Sequence, residues 1–199
     1  MSTQEIYETA TEDKISTIRK IIYGFGAFVN NLLGAAIGTM TIVLNLGLGM
    51  NPALVGLLGA LPRLVDAFTD PLMGYISDHT RSKWGRRRPY IFWGAIVAGI
   101  TFALLWQLPR GQSEEFYFWF FLIGSIIFYL AYTIFATPWV ALGYELTPDY
   151  HERTSIMAVQ NFMGQFAWLF APWFLLFMQN ESLFSDMIEG ASWLAVIIG

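Results

Sequence analysis

Long apolar segments, separated by short polar stretches, make up almost the whole chain after residue 17. The complete apolar runs cover about residues 18–44, 52–77, 90–108, 116–142 and 155–178, and a further run covers about residues 191–199. A helix needs about 20 apolar residues to cross about 30 Å of hydrocarbon, and each complete run is near that length. The pattern therefore predicts an all-α membrane protein with about five complete transmembrane helices and the start of a sixth, which would be cut off at residue 199.

The composition agrees with a membrane protein and excludes several classes of function. Of the 199 residues, 55% are hydrophobic and only 13% are charged, against about 25% in an average globular protein. The formal net charge of −4 gives no reason to expect a nucleic-acid partner. Without cysteine, the chain has no thiol catalysis and no thiolate metal site. Since no nucleophile–base set or phosphate-binding loop is present either, we predict that the chain is not an enzyme.

The distribution of lysine and arginine predicts the orientation in the membrane. Short cytoplasmic loops are enriched in these residues, and nine of the eleven lie on one side: three up to Lys20, five from Arg81 to Arg88, and Arg153. Residues 1–17 lack the apolar core and cleavage site of a secretory signal peptide. We therefore expect residues 1–17 to form a cytoplasmic segment, and residues 18–199 to form a multi-pass bundle in the plasma (cytoplasmic) membrane.

The second apolar run contains three ionisable side chains. Arg63, Asp66 and Asp70 follow one another at i, i+3 and i+7, with Thr69 beside them, so all four share one helix face. This face is expected to point to protein or water, because one charge at the centre of a membrane helix costs about 2.5–3.5 kcal/mol. If Arg63 is the charge partner of one carboxylate, the other must take up a proton, bind a metal cation or meet a partner on another helix. The alternative is an internal salt bridge with Asp70 buried as the neutral acid.

Polar side chains also recur in the first, fourth and fifth apolar runs. An unpaired amide in hydrocarbon costs several kcal/mol, so at least one of Asn30 and Asn31 should point to a polar cavity or a neighbouring helix. Thr133 and Thr137 stack at i and i+4 in the fourth run. Amide and aromatic residues share one face of the fifth run, at Asn161, Gln165 and Trp168, which favours a cavity lined for a solute.

The first apolar run also contains a pair of glycines at helical spacing. Gly34 and Gly38 are four residues apart, in the small-x-x-x-small pattern that lets two membrane helices approach closely. We therefore expect this face to pack against a neighbouring helix.

One segment resembles a known family. Residues 66–89, with the sequence DAFTDPLMGYISDHTRSKWGRRRP, look like the major facilitator superfamily, and more narrowly like its melibiose permease-like glycoside–pentoside–hexuronide:cation symporters. Residues 23–28 (YGFGAF) and 145–154 (ELTPDYHERT) are similar to the same family. The resemblance implies a twelve-helix transporter of two six-helix halves, of which this chain would be the N-terminal six-helix bundle. A C-terminal half, the lipid bilayer and a small-molecule solute are then the expected partners.

The resemblance also implies a site for a coupling cation. In the family this ion is held by two acids of the second helix, a polar residue just before the second acid, and a threonine of the fourth helix. The matching residues here are Asp66, Asp70, Thr69 and Thr133. We expect Asp66 and Asp70 to hold an alkali cation or a proton, and we expect no cofactor other than this coupling ion, Na⁺ or H⁺.

The positions that bind the solute in the family carry different residues here. Asn31, Ala136 and Asn161 stand where the family's glycoside-binding acids and arginine would be. We therefore expect a sugar or glycoside-like solute to be held by amide and aromatic groups, at Asn31, Tyr132, Trp139, Asn161 and Gln165. The resulting prediction is cation-coupled symport. The alternatives are transport of a non-sugar solute such as a lysolipid, and a non-transporting membrane scaffold or assembly protein on the same fold.

Asp78 and the basic loop after it resemble the superfamily's cytoplasmic gating motif, in which a second-helix acid pairs with basic groups and holds the inner side closed. The expected gating group consists of Asp78, Arg81, Arg86, Glu145 and Arg153. The alternative is that the basic residues only set the topology and contact anionic lipid.

Overall fold

The described part of the chain, residues 9–199 of a computed structural model, is helical and contains no strand. Its helices are α1 (Thr17–Leu46), α2 (Pro52–His79), α3 (Arg88–Leu105), α4 (Glu114–Glu145), α5 (Tyr150–Trp168), α6 (Ala171–Met178) and α7 (Met187–Ile198). Five segments within these residues are long and apolar enough to cross a membrane, namely α1 to α4 and the segment Tyr150–Met178 that contains α5 and α6. The predicted all-α membrane fold is confirmed.

Several helices begin before the apolar runs that predict them. Helices α4, α5 and α7 start at Glu114, Tyr150 and Met187, where the pattern predicted about 116, 155 and 191. The residue before each helix accepts a backbone N–H bond with its side chain: Ser113 from Phe116 at 3.2 Å, Asp149 from Glu152 at 2.7 Å, and Asp186 from Glu189 at 2.7 Å. These caps let the helix continue into the polar region, because they satisfy amides that would otherwise be unpaired. Hydropathy reports where the hydrocarbon ends rather than where the helix ends.

The fifth span is not one helix, as the apolar run predicted, but two. Helix α5 ends at Trp168 and α6 begins at Ala171. Pro172 has no N–H to continue the helical bonds, and the chain turns more tightly just before it. The amide of Leu169 bonds the carbonyl of Phe166 at 3.2 Å, and the amide of Phe170 bonds that of Ala167 at 3.1 Å. Proline in the first turn of α6 thus separates the two helices.

The helices pack in a defined order. Helix α1 lies along α5, and α4 lies between α2 and α3, while α7 contacts α1, α3 and α6. Aromatic rings fill the α3–α4 interface, where Phe102 and Phe128 have centroids 5.5 Å apart and Trp106 and Phe121 have centroids 5.2 Å apart. Helix α4 therefore has a neighbour on each side, and one of them is the acid-bearing helix α2.

The part of the predicted cytoplasmic segment that is described, residues 9–16, lies against the start of α5. The Thr9 hydroxyl donates to Asp149 at 3.1 Å, and the Ile15 amide donates to Glu152 at 2.7 Å. Lys20 in the first turn of α1 forms an ion pair with Glu152 at 2.9 Å. Residues 1–8 lie outside the described residues. The segment and the first turn of α1 are thus tied to α5 at one end of the bundle.

Within residues 9–199, no helix packs closely on the predicted face at Gly34 and Gly38. A Cβ atom built at either glycine would have no described atom within 4 Å, other than neighbours in its own chain segment. Close approaches between helices occur at other glycines, among them Gly94 of α3, where a Cβ atom would lie 2.6 Å from the backbone nitrogen of Phe135 on α4. A small-x-x-x-small pattern permits contact, but which face meets a neighbour depends on the packing of the whole bundle.

We expect Gly94→Ala to destabilise the bundle. The added methyl group meets the α4 backbone, which cannot rotate away, and overpacking of this kind costs about 1–3 kcal/mol. Thermal unfolding of the purified protein in detergent measures the effect. Gly34→Ala is the matched control and should be neutral or stabilising, because alanine favours a helix over glycine. Equal unfolding temperatures for the two variants would contradict the proposed α3–α4 contact.

Candidate cation and solute site

Asp70 of α2 is bound by two hydroxyl groups of α4. Oγ1 of Thr133 donates to Oδ1 of Asp70 at 3.0 Å, and Oγ1 of Thr137 donates to the same oxygen at 3.2 Å. The two threonines are one helical turn apart, so both hydroxyls reach α2 from one face of α4. The structure thus brings Thr133 to Asp70, as the predicted cation site requires. Thr137 was not among the predicted ligands, although its i, i+4 spacing from Thr133 is visible in the sequence.

Two other predicted cation ligands have buried oxygen atoms without a partner. Oδ1 of Asp66 and Oγ1 of Thr69 are buried and make no hydrogen bond within the described residues. Buried polar groups are nearly always hydrogen-bonded, so such atoms call for an explanation. Carboxylate and hydroxyl oxygens are the ligands that hard cations prefer. The donor set therefore fits a cation.

No dense cluster of metal-binding side chains accompanies these oxygens. Residues 9–199 contain no group of three or more His, Cys, Asp or Glu side chains that could hold a metal ion. A cation bound here would have only two carboxylates, with hydroxyl groups completing its ligands. This low ligand charge suits a monovalent ion.

Arg63, the expected charge partner, forms no direct ion pair with Asp66 or Asp70 within the described residues. The guanidinium carbon of Arg63 lies 5.5 Å from the ring centroid of Tyr129 on α4, in cation–π geometry. Within residues 9–199, no carboxylate oxygen lies within 4.0 Å of the guanidinium group. Sequence spacing placed the three charges on one face of α2, but it could not show that α4 offers an aromatic ring to the arginine. Neither acid thus forms a direct ion pair with an arginine, although Arg63 is close enough to Asp66 to interact with it electrostatically.

The residues predicted to bind a solute fall into two groups. Asn161 and Gln165 are exposed on α5, and Asn31 of α1 is half-buried beside Gly164 of α5. Tyr132 of α4 is half-buried and donates its hydroxyl hydrogen to Oδ1 of Asn30 on α1. Asn30 was not among the predicted ligands, although the amide pair was noted.

Trp139 is placed differently from the other predicted solute ligands. Its ring is only 5% exposed and lies between Tyr23, with centroids 5.2 Å apart, and Phe135, with centroids 6.2 Å apart. Trp139 thus contributes to the packing of α4 against α1, and its ring has little surface left for a solute.

Consecutive residues of α4 connect the two polar regions. Thr133 contacts Asp70 on α2, while Tyr132 contacts Asn30 on α1. A shift of α4 at Tyr132 and Thr133 would therefore change its contacts with both α1 and α2.

A second polar cluster lies at the end of α2 and joins it to α3 and α4. Arg87 is only 7% exposed and forms ion pairs with Asp78 and, at 2.7 Å, with Glu145, while Arg86 pairs with Glu145 at 2.8 Å. Nη1 of Arg87 also donates to Oγ of Ser77 at 3.3 Å. The hydrogen bond to Glu145 is the main reason why the pKa of Arg87 is raised above its usual value. The guanidinium group therefore stays charged and holds the two acids together.

Three members of the predicted gating group, Asp78, Arg86 and Glu145, thus meet in this cluster, whereas the other two do not. Arg81 is exposed and makes no hydrogen bond or ion pair within the described part of the chain. Arg153 donates to the carbonyl oxygen of Thr147 at 3.2 Å. Arg87 was missed because three consecutive arginines look equivalent in sequence, and only the tertiary structure shows which one points inward.

Residues 22–197 match a protein family that is described as MFS/sugar transport protein. MFS stands for the major facilitator superfamily. The chain belongs to this family. The predicted resemblance to glycoside–pentoside–hexuronide:cation symporters within the superfamily is confirmed, as is the prediction that the chain is not an enzyme. Together with the five apolar segments, family membership makes this a multi-pass membrane protein.

Individual relatives carry names that concern transport. The chain is 33% identical over 118 residues to the isoprimeverose transporter of Lactiplantibacillus pentosus, covering 58% of this chain and 24% of the relative. It is 33% identical over 118 residues to a putative glycoside/cation symporter of Escherichia coli, covering 58% and 25%. It is 28% identical over 156 residues to the sodium-dependent lysophosphatidylcholine symporter 1 of Mus musculus, covering 76% and 29%. The chain thus spans about a quarter of the length of these relatives.

We expect Arg87→Gln to destabilise this family member more than Arg81→Gln does. Removing the Arg87 charge leaves Asp78 and Glu145 close together without their shared cation, and a hydrogen bond to a charged group contributes about 1.5–3 kcal/mol. Arg81→Gln removes the same charge from an exposed position and serves as the control. Thermal unfolding in detergent compares the two variants. Equal unfolding temperatures for Arg87→Gln and Arg81→Gln would contradict a stabilising role for the ion pairs of Arg87.

Proposed function

We propose that the protein containing this chain is a secondary active transporter that couples the entry of a cation, Na⁺ or H⁺, to the movement of a sugar or glycoside-like solute. The observation that carries this proposal is the arrangement of Asp66, Thr69 and Asp70 on α2 opposite two hydroxyls of α4. The names of the relatives supply the solute class and the coupling.

The electrostatics of α2 give a physical reason for coupling. Asp66 and Asp70 form no direct ion pair with an arginine within the described residues, so their combined negative charge in a membrane segment is unfavourable until a cation or proton arrives. Binding of that cation favours the arrangement that holds α2 against α4. Tyr132, the residue before Thr133, bonds Asn30 of α1 from the same helix. The position of α4 therefore also affects the polar groups of α1. Ion binding would thereby prepare the solute site.

The solute site itself would be formed by amides and a phenol. Asn31, Asn161, Gln165 and Tyr132 offer both donors and acceptors without net charge, which suits a ligand rich in hydroxyl groups. In transporters of this kind the site lies near mid-membrane between two halves. A second six-helix half would supply the opposing wall. The excess of basic residues on one side supports an N-terminus in the cytoplasm, with the protein in the plasma membrane.

A sodium-dependent lysophosphatidylcholine symporter among the relatives gives a second candidate solute class. A lysolipid would need an apolar path for its acyl chain in addition to the amide groups. An uptake screen that contains sugars, glycosides and a lysophospholipid distinguishes the two classes.

We expect Asp70→Asn and Asp66→Asn each to abolish cation-dependent uptake while the protein still inserts and folds. Each substitution removes a negative charge that the ion would neutralise but keeps the shape of the side chain. Uptake of labelled solutes from the screen into proteoliposomes, under an imposed sodium or proton gradient, measures the effect.

Glu181→Gln, which changes an exposed acid in the loop after α6, is the control and should transport normally. Unchanged ion dependence in both aspartate variants would contradict the cation site. A non-transporting scaffold would instead give no uptake in the unchanged protein, and changes in its arginine-rich loop would matter more.

A further inference from the structure

Thr137 of α4 contacts the same carboxylate oxygen as Thr133, although the sequence prediction gave it no role. Its Oγ1 lies 3.2 Å from Oδ1 of Asp70, and Oγ1 of Thr133 lies 3.0 Å from that oxygen. Thr133 is 2% exposed, whereas Thr137 is half-buried. One hydroxyl therefore holds Asp70 from the interior of the bundle, and the other holds it from the more open side.

The Thr137 methyl group faces the neighbouring turn of α2. Its methyl carbon lies 3.9 Å from the position that a Cβ atom would occupy at Gly74. Gly74 is one helical turn after Asp70, so both residues lie on one face of α2. Because threonine is branched at Cβ, a methyl group directed to Gly74 leaves the hydroxyl directed to Asp70. Both branches of Thr137 thus face α2.

We propose that Thr137 is a specificity-determining residue of the coupling-cation site, an inference that rests on the proposed function. Each hydroxyl donates its one hydrogen to Oδ1 of Asp70 and keeps lone pairs on its own oxygen. With Oδ1 occupied by two donors, Oδ2 of Asp70 makes no hydrogen bond within the described residues and stays available to an ion, on the helix that also carries the unpartnered oxygens of Asp66 and Thr69.

The ligand requirements of a metal cation and a proton differ. A metal cation is held by a shell of several oxygen atoms, whereas a proton needs a single acceptor. The additional hydroxyl oxygen of Thr137 enlarges the shell without adding charge. Thr137 therefore favours a sodium ion over a proton at this site.

Thr137→Val tests this role, because it removes the hydroxyl but keeps the branched shape. The sodium concentration for half-maximal binding should rise about 3- to 10-fold, as expected for the loss of one hydrogen bond in the site. Thr137→Ser keeps the hydroxyl and should bind sodium nearly as well as the unchanged protein. Isothermal titration calorimetry of the purified protein with NaCl, with choline chloride as the balancing salt, measures binding without any solute. A pH series under the same conditions measures proton competition.

Thr41→Val is the matched control, because the Thr41 hydroxyl donates to the carbonyl of Ile37 at 2.6 Å and lies on α1. It should leave sodium affinity unchanged. Unchanged affinity in Thr137→Val, while Asp70→Asn abolishes binding, would overturn the role of Thr137 and leave the proposed function standing.

Three other results would also be decisive. Equal weakening in Thr137→Ser and Thr137→Val would overturn the proposal, because side-chain shape rather than the hydroxyl would then matter. If the unchanged protein responded to pH in this assay but bound no sodium, the proposed sodium preference would be overturned. Unchanged sodium binding in Asp70→Asn would instead contradict the cation site itself.

Discussion

Negative charge on α2, in a segment that crosses the membrane, is the constraint on which the candidate site depends. A carboxylate in such a place is unfavourable unless other groups stabilise it. At Asp70, two hydroxyls of α4 do so in part. At Asp66 a buried oxygen has no hydrogen-bond partner within the described residues, and Arg63 lies over Tyr129 without a direct ion pair to either acid. The protein thus contributes hydrogen bonds to this charge but no direct ion pair, and the proposed cation would supply what is lacking.

Helix α4 makes this arrangement possible because it packs against both α2 and α3 and also contacts α1. The close contact with α3 at Gly94 fixes the position of its backbone near Phe135. Thr133 and Thr137 then face α2, and Tyr132 faces Asn30 of α1. Nearer the C-terminal end of α4, Trp139 stacks between Tyr23 of α1 and Phe135, which packs α4 against α1. An ion on one side of α4 and a solute on the other would therefore act on one rigid element.

The cluster at the end of α2 solves a related electrostatic problem in a different way. Asp78 and Glu145 come from different helices, and they share the buried guanidinium group of Arg87. Here the positive charge belongs to the protein, so the contact is permanent until the helices separate. At Asp66 and Asp70, by contrast, the positive charge would come from a bound cation that is not part of the protein. A transporter that opens at one end and exchanges an ion in the middle, as proposed above, would require this difference.

The class of protein, the number of apolar spans and the identity of the acidic helix follow from the amino-acid sequence alone. Hydrophobic length and the cost of buried charge are properties of the residues alone, and the segment from Asp66 to Pro89 was specific enough to indicate the family. The pattern also placed Asp66, Thr69 and Asp70 on one face of α2.

The groups that meet this face of α2 could be identified only once the helices were packed together. Thr137 rather than Arg63 reaches Asp70, Arg87 rather than Arg81 turns inward, and Trp139 packs between rings instead of facing a solute. The glycines of closest approach are not Gly34 and Gly38, because helix contacts depend on the rotation of one helix against another. Spacing along one helix fixes its faces, but it contains no information about the neighbour that each face will meet.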